Sequence, residues 1–130
     1  MKTPVSISTT IFLITSGLAS AASPDAAITG EALKALHMDK TFEMTQVNQA
    51  PGRIYFSPDG TVTSIRSGRS RVGKWWIDDS GAIRCNQFGK GKPFCVSVKS
   101  VGDGKYVAFD EHGVAQVDIH KVMDGNALAD

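Results

Sequence analysis

A chain of 130 residues carrying 14 Lys and Arg against 13 Asp and Glu, with two cysteines, has room for one domain and not for two. Its near-neutral charge excludes nucleic acid as the main partner, because such binders draw most of their affinity from neutralising phosphates with basic groups. Beyond the N-terminus no apolar stretch approaches the about 20 residues that a membrane-spanning helix requires.

Residues 1–21 have the order of a secretory signal: Lys2 as the only charge, an apolar run around Ile11-Phe12-Leu13-Ile14, then the small residues Ala19-Ser20-Ala21. Cleavage is expected after Ala21 or Ala22. The run is diluted by Ser6, Ser8, Thr9, Thr10, Thr15 and Ser16, which argues against a membrane anchor, and no cysteine follows it to carry a lipid. A periplasmic or secreted location is expected, with no transmembrane segment in the mature chain. Removing Lys2 with the signal leaves basic and acidic residues in balance.

Residues 22–39 read as a leader and one short helix over 30–37, with Thr29 as N-cap and Ala32, Leu33 and Leu36 on one face. From Lys40 onward the hydrophobic period is two, and strands are expected at 41–47, 53–57, 61–66, 72–77, 82–88, 94–101, 105–109 and 114–122. Pro58-Asp59-Gly60, Asp78-Asp79-Ser80-Gly81, Gly102-Asp103-Gly104 and Asp110-Glu111-His112-Gly113 supply turns with a Gly where positive φ is wanted. These turns make neighbouring strands hairpins. The expected fold is therefore mainly β: a small antiparallel up-and-down meander over 40–122, closed or nearly closed into a barrel of about eight strands, with one short N-terminal helix. A curled sheet with the helix plugging one end is the near alternative, and 123–130 is expected to be a flexible tail. Alternation points Phe42 and Met44, Ile54 and Phe56, Phe94, Val96 and Val98, and Ala115, Val117 and Ile119 inward. Of the adjacent Trp75 and Trp76, which must face opposite sides of a strand, Trp75 goes to the core and Trp76 to the surface.

Cys85 and Cys95 have neither a CxxC nor a histidine between them, so zinc spacing is absent. In an exported chain they are expected to pair. Closing so short a loop would stabilise the fold by about 3 kcal/mol in the loop-entropy picture. Placing the two directly opposite sets Arg84 beside Val96 and Ile83 beside Ser97, so that polar and apolar faces disagree. A bulge near Asn86 or Phe94 would repair this, and an irregular hairpin is expected.

Sites with chemical potential are few. The Arg66 to Lys105 segment is locally basic, and Ser67-Gly68-Arg69-Ser70-Arg71, with Arg66, Lys74 and Arg84, would form an anion-binding rim. Gly89-Lys90-Gly91-Lys92-Pro93 lacks the spacing of a phosphate loop and reads as a hairpin tip. Trp76, Arg69, Arg71 and Lys92 are thus the candidate binding residues. Asp118 and His120, two apart on one strand face with Gln116, would orient a general base in a small periplasmic hydrolase-like enzyme, but no nucleophile motif accompanies them. His37 and His112 are placed at a helix end and in a turn, so no metal site is expected, and no cofactor motif is present.

Tyr55-Phe56-x-x-Asp59-Gly60, Gly73-x-Trp75, Gly81, Cys85, Cys95 and Val98 resemble the pattern of small exported bacterial proteins of the domain of unknown function 995 type. Members of that family pair a YF-x-x-DG turn with a GxWW strand and two later cysteines. The resemblance covers residues 40–122. It implies a proteobacterial envelope setting and supplies no catalytic residues. The function expected on all these grounds is that of an exported binding module, inhibitor-like or envelope-associated, that contacts a protein or an envelope polymer.

Overall fold

The structure, a computed structural model, describes residues 26–129. The signal reading of residues 1–21 lies outside the described residues. One helix, α1 (Gly30–His37), precedes eight strands: β1 (Lys40–Gln46), β2 (Gly52–Phe56), β3 (Thr61–Arg66), β4 (Arg69–Ile77), β5 (Arg84–Phe88), β6 (Phe94–Gly102), β7 (Lys105–Phe109) and β8 (Ala115–Asp124). Each strand pairs antiparallel with the next, and β1 pairs with β8, so the meander closes into a barrel. Closure removes the exposed sheet edges that an open meander would leave.

The turns do this locally. Gly60, Gly81, Gly104 and Gly113 all adopt positive φ, and in the 58–60 and 110–113 turns the Asp59 and Asp110 carboxylates accept backbone N–H groups of Thr61 and of His112 and Val114. A strand entering each turn has no low-energy choice but to reverse.

Inside the barrel Phe42, Ile54, Phe56, Val62, Val96, Val98, Val117 and Ile119 are buried, and Trp75 joins them with its indole N–H donated to the Ser57 carbonyl. Helix α1 closes one end. Its residues Leu33 and His37 are fully buried, the Gly30 N–H donates to the Gly81 carbonyl, and the Asp39 N–H donates to that of Phe56. Ala32, expected on the buried face, is exposed, because Leu33 and His37 one turn apart point inward instead. The opposite end carries the β1–β2, β3–β4, β5–β6 and β7–β8 connections and, among the described residues, has no such plug.

Three boundaries differ from the alternation. Ala115 is exposed rather than inward, because the β7–β8 register shifts between Ala108 and Phe109 and carries Ala115 out of phase with Val117. Strand β8 runs to Asp124, and the segment beyond it is tied down: the Ala127 N–H donates to Thr41 Oγ1 and Arg53 Nη1 to the Ala127 carbonyl. Residues 123–129 are therefore not a loose tail.

The third difference concerns the cysteines. Cys85 and Cys95 form a disulfide and stand directly opposite each other, with Arg84 opposite Val96 and Asn86 opposite Phe94 in unbroken register. No bulge interrupts β5 and β6. The clash of faces is real: Arg84 and Asn86 point into the barrel while Cys85 points out.

Gly73 sits in the interior phase of β4, where a Cβ would lie 2.1 Å from the Gln87 carbonyl oxygen and 3.0 Å from Phe88 Cδ1. Backbone cannot yield as a flexible side chain does. Gly73→Ala should cost roughly 1–3 kcal/mol, read as a lower midpoint of denaturant unfolding; an unchanged midpoint would show that β4 and β5 can separate freely.

Candidate ligand-binding site

The open end leads into a cavity of about 230 Å³ inside the barrel. Its apolar wall comes from alternate residues of β1, β2 and β8, with Phe42, Met44, Ile54, Val117 and Ile119, and from Phe88 and Phe94 of the β5–β6 hairpin. Among the described residues its polar lining is Gln46, Ser64, Asn86 and four cations, Arg66, Arg71, Arg84 and Lys92, with no Asp or Glu.

Arg84 is the deepest of these cations. Only 4% of it is exposed, and Asn86, two residues along the same inward face, is 5% exposed. Arg84 Nη1 donates to Asn86 Oδ1, and the guanidinium lies 5.0 Å from the Phe56 ring centroid. Its Nε finds no hydrogen-bond partner, and among the described residues no carboxylate pairs with it. Desolvation alone pushes its pKa down to about 10, so it stays charged at neutral pH. A buried cation with one amide oxygen and one aromatic face is incompletely compensated. The Asn86 amide group, with Oδ1 accepting from Arg84, leaves its N–H donors free for another acceptor.

Toward the mouth, Arg71 lies over the Phe88 ring at 4.3 Å, a cation–π contact that holds it against the wall. Arg66 reaches the Gln46 and Gln49 side-chain oxygens only at 3.5 and 3.4 Å, and its Nε is buried without a partner. An adjoining depression collects Arg66, Arg69 and Arg71 with Ser64 and Ser67. The ion pairs of the described residues, Lys40 with Asp124 and Arg53 with Glu43, involve none of these cations. The mouth therefore carries uncompensated positive charge. Close packing of like charges over low-dielectric walls concentrates the field there.

The sequence-derived candidates separate on this map. Arg71 and Lys92 line the cavity and Arg69 the adjoining depression, so two segments distant in sequence, the start of β4 and the β5–β6 tip, converge on one mouth. Trp76 lies elsewhere, on the outer face opposite Cys85. Lys74 is also outward, alternating with Gly73 and Trp75, and Arg84 belongs to the interior rather than to a surface rim. Asp118 and His120 are exposed on the outside of β8; the His120 Nε2 hydrogen bond goes to Thr45 Oγ1, and no side-chain bond joins the two. They face away from the cavity. His37, at the end of α1 as expected, is buried among Phe42, Phe56 and Trp75 with ring centroids 5.0, 4.8 and 5.9 Å away. The residues sequence reasoning passed over are Asn86, Ser64 and Phe88, whose inward positions show only once the register is fixed.

Fold and site together define a small, disulfide-bonded, closed β-barrel with a cationic cavity open at one end, and no helix among the described residues is long and apolar enough to cross a membrane. Comparison with family models, with curated proteins and with solved structures gives no match to the chain.

Proposed function

We propose that this protein is an exported binding module whose barrel takes up a small organic anion through its cationic mouth. The observation that carries this reading is Arg84: a nearly fully buried guanidinium with a free Nε, set at the inner end of a cavity whose lining, among the described residues, has four cations and no carboxylate. An anionic group entering beside it would supply the missing acceptor in a low-dielectric site, where charge-assisted hydrogen bonds are strongest. The volume, somewhat under the range of drug-sized sites, suits a small ligand.

Export rests on the leader pattern and on the disulfide, which persists in oxidising compartments. A protein or an envelope polymer would reach Arg69 and the other rim groups but leave Arg84 without a partner. The depth of Arg84 therefore favours a ligand that enters over one that docks across the mouth.

The test uses 8-anilinonaphthalene-1-sulfonate, a fluorescent amphipathic anion. Saturable enhancement is expected, weakened by salt and abolished by the charge reversal Arg71→Glu. Absence of saturable binding by the oxidised protein at neutral pH and low salt would overturn the reading.

A further inference from the structure

The cations of this cavity occupy two depths, and that distribution restricts the ligand further. Arg84 contacts Asn86 at the inner end, whereas Arg71 is held on the ring of Phe88 toward the mouth. Asn86 and Phe88, the residues that hold the two cations, are two apart on one strand face, a rise of about 7 Å along the strand. The same cavity has an apolar wall that includes Ile54, Phe94, Val117 and Ile119.

A simple amphipathic acid satisfies only one of these positions. Inserted tail first, it would bury a methyl group against an unpaired guanidinium, which loses the solvation of a charge for no new hydrogen bond. Inserted head first, it would pair with Arg84 but lay its apolar tail among Arg66, Arg71 and Lys92. Resting on the binding role proposed above, we infer that the ligand is a small dianion, two acid groups joined by a short apolar spacer, with one group on Arg84 and Asn86 and the other on Arg71, flanked by Arg66 and Lys92. The apolar belt covers the spacer. Lys92, on the hairpin tip at the mouth, gives the outer group a second charge without requiring burial.

Calorimetric titration of the oxidised protein with adipate, suberate and succinate, against hexanoate as the single-acid control, tests the inference. Adipate is expected to bind at least about tenfold more tightly than hexanoate, the worth of one additional charge-assisted hydrogen-bonded group. Arg71→Gln should weaken adipate more than hexanoate and close the gap between them, and Arg84→Met should weaken both. Hexanoate binding as tightly as adipate, or Arg71→Gln weakening both equally, would overturn the two-anion assignment while the binding role stands. Failure of every acid and of the fluorescent sulfonate to bind would remove both readings together.

Discussion

Replacing Arg84 by methionine is expected to make the protein more stable and unable to hold an anion. Few substitutions of a 4% exposed residue should do both. In the free protein the guanidinium has been taken from water and receives in return a hydrogen bond to Asn86 and the face of Phe56. Those are worth about 1–3 kcal/mol between them, less than burying an unpaired charge costs. Methionine fills most of the same volume with a flexible apolar chain. The gain should be roughly 1–3 kcal/mol, by analogy with buried charges exchanged for apolar groups, and unfolding in urea at pH 7 measures it.

The direction of that change separates two roles. Were Arg84 a structural pin for the β5–β6 hairpin, its removal would lower stability and loosen the fold. A binding residue keeps an energetic debt in the ligand-free protein that the ligand discharges. Higher stability with lost binding of the fluorescent sulfonate is the expected pair of results; lower stability with retained binding would assign Arg84 to the scaffold.

The barrel itself was legible in the sequence because its information is local. Each turn is written in three or four residues with a Gly at the positive-φ position, and each strand announces its inner face by alternation, as Phe42 and Met44 or Val96 and Val98 do. The cavity was not legible in the same way, since its lining is contributed by residues brought together only by closure. Yet a trace of it was present. Arg84 opposite Val96 looks like a fault in the hairpin if every inward residue must be apolar, and a bulge is the natural repair. The register is unbroken, so the fault is the site: one stretch of the interior is polar. The same holds for His37, whose helix face looks adequate with Ala32, Leu33 and Leu36. Only the aromatic floor formed by three distant strands explains why a histidine goes in and an alanine stays out. Local rules fix the frame, and the interior chemistry depends on which frame positions meet.

That buried histidine makes the fold sensitive to mild acid. His37 Nδ1 contacts the Leu33 carbonyl at 2.9 Å, which makes Nδ1 the protonated nitrogen of a neutral ring, and Nε2 is buried without a partner. Burial, and after it the charge of Arg84, hold its pKa down at about 3 against an ordinary value of 6.5. The unfolded chain therefore binds a proton that the folded chain refuses throughout the interval between those values. Stability is at its full value above pH 6.5 and falls as the pH drops through the interval, by about 1.4 kcal/mol per pH unit once well inside it. At pH 4.5 the loss should be roughly 3 kcal/mol relative to neutrality. Asp59 and Asp110, whose carboxyls are held below their ordinary 3.8 by backbone N–H groups, lose their contribution only lower still, so the upper part of the window belongs to His37. Urea unfolding measured from pH 7 to pH 4.5 should show this decline, and His37→Phe, which keeps a ring against Phe42, Phe56 and Trp75, should flatten it whatever its stability at neutrality. An NMR titration of the wild-type His37 ring gives the independent measure: no protonation should be seen in the folded protein down to pH 4.5. A ring that titrates near 6.5, or a decline that persists unchanged in His37→Phe, would show that the acid sensitivity resides elsewhere.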